Sequence, residues 1–309
     1  MAKPRNDFID RLQYAGLRIV TMCLHCWPVE LCLDVAKVLG NIMYIVDRRH
    51  RKRAMGNLRR SFPHKPDAEL RTLARRSMQQ LFMLFVETLF TTRLIRIDTV
   101  AKHVKLAQLG TTLKLLLEQN QGVIMLTGHY GAWEVLGYAL ATLGFETTSV
   151  ARPLDNPYVN EYLLGVRERM GQKIIDKKGA TAIVVPLLER NGAVGFIADQ
   201  NAGTKGMFVD FFGRKASTYK SIGLLAMEYN VPVIIGYARR KQDKFEFDLG
   251  VQDIIWPKDW QQQDDPLRYI TQRYTKAIED FTAADPGQYL WVHRRWKTRP
   301  KGEAPEQFD

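Results

Sequence analysis

Along roughly the first hundred residues, apolar positions recur at helical spacing. The clearest run is residues 67–90 (DAELRTLARRSMQQLFMLFVETLF), which Pro66 and Asp67 open. From Gln121 onward the pattern changes. Residues 123–127 (VIMLT) form a short unbroken apolar run between glycines, and residues 149–151, 173–176, 193–198 and 231–237 repeat that style. Helix-like stretches at 133–143, 157–170, 180–190 and 219–228 separate them. Strands buried on both faces, alternating with helices, predict an α/β fold with a mostly parallel central sheet flanked by helices. The tail adds a strand-like run at 248–255, a helix near 266–281 and the aromatic stretch 289–296. No internal repeat, low-complexity tract or long linker interrupts the chain. The economical division is an N-terminal helical, membrane-associated region at residues 1–105 and one α/β catalytic domain at residues 106–309.

The membrane reading comes from residues 19–29 (IVTMCLHCWPV), which hold no charged side chain. Apolar residues then continue to Val46, interrupted by the charged Glu30, Asp34 and Lys37. A spanning helix needs about 20 predominantly apolar residues. This stretch is shorter and carries Pro28, so it suits a helix lying in one leaflet, or else a buried helical hairpin. The polar start, MAKPRNDFIDRLQY, is unlike a cleavable signal peptide. Cys23, Cys26 and Cys32 lie within ten residues, unlike a disulfide framework. Cys23 and Cys26 form a CxxC, but a structural zinc site needs four ligands and no second CxxC or HxxxH follows. No metal or cofactor is expected.

Charge sharpens the partner. The 309 residues carry 45 Lys+Arg against 33 Asp+Glu, a net charge of +12, which calls for an acidic partner surface. Residues 47–76 alone contribute eleven basic and three acidic side chains. Basic residues directly after an apolar helix bind anionic headgroups, at about 1 kcal/mol per Lys or Arg near the surface, and mark the cytoplasmic side. Nucleic acid would require stacking aromatics or a groove-reading module. Phe62 is the one aromatic ring besides histidine between Asp47 and Arg76, so nucleic acid is disfavoured.

The candidate chemistry is His129 with Glu134 in GHYGAWE. The HxxxxE spacing alone is uninformative, because His25/Glu30 and His64/Glu69 share it. Context separates them: only His129 directly follows a strand-like run. It therefore projects from the carboxyl edge of the sheet, where open α/β sheets bind ligands. Five residues on a continuous helix leave two side chains about 140° apart. Contact requires His129 to precede the helix and Glu134 to lie in its first turns, with Gly131 breaking the path. Glu134 would then accept the Nδ1 proton, leaving Nε2 to take a proton from an alcohol. GxSxG, HExxH, Walker A and GxGxxG are absent from the sequence. A base without a protein nucleophile suits direct attack by a substrate hydroxyl on an activated carbonyl, although water or a phosphate ester could substitute.

Further motifs follow in order: NLRRSFP (57–63), ARPLDNP (151–157), RERMG (167–171), ADQN (198–201), FVDFFG (208–213) and QYLWVHRRWKTRP (288–300). With GHYGAWE, this series resembles the bacterial lipid A biosynthesis acyltransferases, the lauroyl and myristoyl transferases of the wider lysophospholipid acyltransferase superfamily. The resemblance covers nearly the whole chain. It implies a membrane-associated, metal-independent enzyme at the cytoplasmic face of the inner membrane, moving an acyl chain from acyl carrier protein to a lipid hydroxyl. The family's HxxxxD/E dyad maps onto His129 and Glu134. Its characteristic arginine maps onto Arg167, or alternatively Arg169, and its DQ pair maps onto Asp199 and Gln200. The EGTR motif of the glycerolipid branch is missing. A related branch acylates mannosylated phosphoinositides, so the acceptor stays open.

Physical roles fit the mapped groups. Arg152 and Arg167 have guanidinium forks that match phosphate on donor or acceptor. Asp199 ends a strand-like run, and with Gln200 is assigned to substrate binding, fixing an arginine or the acceptor sugar. Arg294, Arg295 and Lys297 form either a headgroup or carrier-protein patch or a solvated face. Phe211, Phe212 and the stripe at 81–90 line either an acyl groove or the core. Two other functions remain: a non-catalytic anionic-lipid binder, and a thioesterase whose base activates water.

Overall fold

The computed structural model describes residues 6–107, 110–118, 120–169 and 171–303. Four long helices come first: α1 (Asp7–His25), α2 (Val29–Val46), α3 (Arg48–Ser61) and α4 (Asp67–Leu94). Asn6 caps α1 by accepting from the backbone N–H groups of Phe8 and Ile9, and Asp47 caps α3 by accepting from His50. Pro28 is the residue before α2 and Pro66 the residue before α4, so each proline stands at the start of a helix, where its missing N–H costs nothing. The one-turn α5 (Val100–His103) leads into β1 (Val104–Ala107) and α6 (Gly110–Glu118).

The alternating part follows: β2 (Val123–Thr127), α7 (Trp133–Thr142), β3 (Thr147–Ala151), α8 (Pro157–Glu168), β4 (Lys173–Asp176), α9 (Thr181–Glu189) and β5 (Ala193–Ile197). Met170, the far end of the helix expected at 157–170, lies outside the described residues. A hairpin of β6 (Met207–Phe211) and β7 (Arg214–Thr218) comes next. Then follow α10 (Ser221–Glu228), β8 (Val233–Arg240), β9 (Phe247–Ile255), α11 (Pro257–Trp260) and α12 (Pro266–Ala284).

Seven strands form one sheet in the order β1-β9-β8-β2-β5-β3-β4. The five from β8 to β4 are mutually parallel, while β9 runs antiparallel to β8 and β1 pairs parallel with β9. The mostly parallel sheet expected from the apolar runs is present. The β6–β7 hairpin was not expected as strands, and residues 289–296 are turns apart from one bridge between Tyr130 and Tyr289.

Two large apolar clusters hold the layers together. In one, Ile124 and Leu126 of β2 pack with Ile270, Tyr274, Ile278 and Phe281 of α12. In the other, Ala36 of α2 and Met83, Val86 and Phe90 of α4 pack with Val135 and Ala139 of α7 and with Phe247 and Leu249 of β9. The helices before β1 are thus packed onto the sheet layer. Gly40 lets α2 approach α4 closely, since a Cβ there would sit 2.4 Å from the Gln79 Cα.

Not all apolar surface is covered. Phe8, Leu12, Ile19 and Met22 of α1, Trp27, and Ile42, Ile45 and Val46 of α2 are exposed. Among the described residues, no helix is long and apolar enough to cross a membrane.

Candidate active site

The site lies at the carboxyl ends of β2 and β5. These strands are hydrogen-bonded neighbours with Thr127 opposite Ile197, so residues two positions beyond each strand face one another. Those residues are His129 and Asp199. Asp199 Oδ2 accepts from the His129 backbone N–H at 2.9 Å, and Asp199 Oδ1 lies 2.7 Å from His129 Nδ1. Asp199 is buried and the His129 side chain is 12% exposed. Burial alone would raise the Asp199 carboxyl. The charge and hydrogen bonds of His129, with His293 behind it, instead hold it well below the usual carboxylate range. An ionised carboxylate only accepts, so Nδ1 carries a hydrogen, and in the neutral form of the ring the lone pair falls on Nε2.

This corrects the expected partner of the histidine. Glu134 does sit in the first turn of α7, but its carboxylate is taken by Arg167 of α8. Arg167 Nε and Nη2 donate to the two Glu134 oxygens at 2.7 and 2.8 Å, a bidentate fork. Burial would lower the Arg167 guanidinium; Glu134 outweighs it and the net shift is upward. The reason is geometric. Asp199 already occupies the Nδ1 side of the ring from the next strand, and Arg167 matches the carboxylate two oxygens at a time.

The turn itself is tightly held. Gly131 has φ +57, and a Cβ there would lie 2.0 Å from the Ala238 carbonyl oxygen. Every backbone N–H from 129 to 132 is engaged: His129 on Asp199, Tyr130 on the Gly128 carbonyl, Gly131 on the Gln288 carbonyl and Ala132 on the Ala238 carbonyl. Beneath it lies a buried polar network. The Gln80 side-chain amide donates to the Gly131 carbonyl and accepts from Arg240 Nη1, and Arg240 forms a bidentate pair with Glu87. Glu87 is 0% and Arg240 4% exposed.

The C-terminal turns close the site from above. The His129 ring lies 4.3 Å from the His293 ring, centroid to centroid, and meets the Trp133 ring edge-on at 5.1 Å. Burial, then the neighbouring His129 charge, push His293 down to about 4. His293 was not picked out as a site residue, although it lies inside the QYLWVHRRW motif; the available signal was a histidine in a second aromatic motif. Asn57 of α3 donates to the carbonyls of Trp291 at 2.9 Å and His293 at 3.2 Å. The NLRRSFP motif thus serves to hold the QYLWVHRRW turns in place.

The remaining candidates divide. Gln200 belongs to the site, with its side-chain nitrogen 3.3 Å from His129 Nε2. Arg152 stands at the end of β3 with an 81% exposed side chain, paired to Asp155 at 3.2 Å. Arg295 is no part of a surface patch: it is 1% exposed and donates to the carbonyls of Ser217 and Gln200 and to the Thr218 hydroxyl. Phe211 is buried and Phe212 packs against Phe62 and Trp291, so these rings belong to the core. Along the α4 stripe, Met83, Leu84, Val86, Leu89 and Phe90 are buried, while Leu81 and Phe85 are exposed. Among the described residues no group of three or more His, Cys, Asp or Glu is placed to hold a metal ion.

The arrangement can take a proton from a hydroxyl at Nε2, with the imidazolium that results stabilised by Asp199 at Nδ1. A family model described as bacterial lipid A biosynthesis acyltransferase matches residues 6–298. A lipid A biosynthesis acyltransferase of Haemophilus influenzae is 24% identical over 263 residues, covering 83% of this chain and 78% of its own length. The lipid A biosynthesis lauroyltransferase of Escherichia coli is 25% identical over 300 residues, covering 94% and 93%. The palmitoleoyltransferase of the same pathway and organism is 29% identical over 196 residues, covering 62% and 61%.

Proposed function

We propose that this chain, which belongs to the bacterial lipid A biosynthesis acyltransferases, moves a fatty acyl group from an acyl thioester to a hydroxyl of a lipid A precursor. The observation that carries the reading is the Asp199 carboxylate on His129 Nδ1, which leaves Nε2 as the acceptor nitrogen at the carboxyl edge of the sheet, met by the Gln200 amide at 3.3 Å. His129 is the general base for the acceptor hydroxyl. Asp199 fixes its tautomer. Glu134 acts through Arg167, holding a guanidinium whose remaining donors suit a phosphate of acceptor or donor. Arg152, further out on the same edge, is the outer candidate for phosphate.

The donor is an acyl thioester of acyl carrier protein. The acidic carrier matches a chain of net charge +12. The membrane attachment is peripheral, with helices α1 to α4, in residues 1–105, as the lipid-facing region. The exposed apolar side chains of α1 and α2 enter one leaflet, and the basic α3 lies against anionic headgroups at the cytoplasmic face of the inner membrane. The relatives carry lauroyl and palmitoleoyl chains in their names, so chain length varies among them.

Detergent-extracted enzyme incubated with acyl carrier protein thioesters and lipid A precursors, followed by mass spectrometry, tests this directly. Acylated lipid is the expected product, and His129→Ala should abolish it while the protein stays folded. Full turnover in that variant ends the proposal. Free fatty acid without acylated lipid would indicate hydrolysis, and acylation of a mannosylated phosphoinositide in preference would move the acceptor to the related branch.

A further inference from the structure

The geometry points to Gln200 as the oxyanion donor of the transfer step, a role that rests on the acyl-transfer reading above. Attack forms a bond from the acceptor oxygen to the thioester carbon while the hydroxyl proton passes to His129 Nε2. The carbonyl π pair moves onto the carbonyl oxygen, which needs a hydrogen-bond donor. Collapse returns that pair, breaks the C–S bond, and the thiolate leaves with the proton from Nε2.

In many acyl-transfer sites backbone N–H groups of the nucleophile or base turn supply that donor. Here they are spent. The four N–H groups from 129 to 132 all donate to partners within the protein. The donor beside Nε2 is the Gln200 side-chain amide at 3.3 Å. Its orientation follows from the network. Asp199 accepts from Nδ1, Nε2 is then an acceptor, and only the NH2 end of the amide can face it.

Gln200 is also held in place from both sides. Its backbone carbonyl accepts from the buried Arg295 at 3.4 Å, and the next residue, Asn201, exchanges hydrogen bonds with Thr298: Nδ2 to the hydroxyl at 3.0 Å, Oδ1 from the backbone N–H at 3.3 Å. The backbone is fixed while the residue itself is exposed. Before substrate arrives, the amide rests on the base's own lone pair. An acceptor hydroxyl taking that lone pair releases the amide, which is then available to donate to the carbonyl oxygen next to the new bond. Such a donor gains strength as charge develops, so its loss falls on kcat rather than KM.

The test measures kcat and KM for both substrates in wild type, Gln200→Ala and Gln200→Glu, with thermal melting to confirm folding. Removing one oxyanion donor costs about 10²-fold or more in kcat. We expect that loss in Gln200→Ala with KM for thioester and acceptor within about threefold of wild type. Gln200→Glu keeps the size but presents an acceptor, so it should lose as much. Its carboxylate beside Nε2 favours imidazolium, so the acid limb of its pH profile should move to higher pH. A raised KM with unchanged kcat would make Gln200 a ground-state contact and overturn the role, as would wild-type values for both. If the wild-type product proves to be free fatty acid, the transfer reading fails, yet the same kcat loss in hydrolysis would still support Gln200 as the oxyanion donor.

Discussion

Asp199 grips His129 twice, through the backbone N–H at 2.9 Å and through ring Nδ1 at 2.7 Å, from a fully buried position at the end of the neighbouring strand. Orientation and tautomer are therefore set by one side chain. Asp199→Asn presents an amide that can donate to Nδ1, which drives the ring hydrogen to Nε2 and removes the base. We expect kcat to fall by roughly 10²–10⁴-fold. Nitrogen NMR of the labelled histidine ring should show the tautomer reversed. Retained activity with a reversed tautomer would remove Nε2 from the mechanism.

Glu134 and Arg167 form one unit, at 19% and 22% side-chain exposure. Removing either leaves the other half-buried and unmatched, at a cost of roughly 1–3 kcal/mol in stability. Activity should follow the same logic. Glu134→Ala, Arg167→Ala and the double variant should show similar losses, because the second substitution removes nothing still working. Independent, additive losses in a double-mutant cycle would separate the two roles.

His293 gives a pH signature. Its folded value of about 4 lies below the ordinary histidine value of 6.5, so the unfolded chain binds a proton that the folded chain refuses. Stability is then lost as pH falls from about 6.5 toward 4 and fully recovered above 6.5. At pH 5 the linkage amounts to about 2 kcal/mol. His293→Gln removes it, so denaturant unfolding should lose less stability between pH 7 and pH 5 in the variant than in wild type. Parallel pH profiles for the two proteins would contradict the partly buried, neutral ring.

The Glu87–Arg240 pair supports the turn that carries His129 through Gln80. Burial pushes the Glu87 carboxyl up, against the pull of Arg240. Glu87→Ala leaves a guanidinium at 4% exposure without its carboxylate. Breaking a buried pair this way costs roughly 3–5 kcal/mol. Replacing both residues with methionine should cost much less, as measured by chemical denaturation. A Glu87→Ala protein as stable as wild type would mean that water reaches the pair.

Several features were legible from local pattern. The five runs became β2, β3, β4, β5 and β8, most plainly the central β2, where a strand buried on both faces must be apolar throughout; β4, at the edge, keeps only Ile174 and Ile175 between exposed Lys173 and Asp176. His129 stood out because a strand end followed by glycines marks a ligand edge whatever the neighbours are. The β6–β7 hairpin was not legible. Its FVDFFGRKAST sequence mixes charges and glycine, and its strand character comes from pairing and from packing under α12.

Sequence by itself determined the layer order, the strand-end position of the histidine and the family, since each depends on periodicity or on ordered motifs. Tertiary structure decided which carboxylate serves which partner. Asp199 and His129 are 70 residues apart and meet through strand adjacency. Glu134 and Arg167 meet because α7 and α8 pack side by side. Arg295, which reads as surface charge in a basic run, is enclosed by the hairpin above it. Hydrogen-bond geometry across neighbouring elements is a property of register and packing, and a linear chain does not carry it.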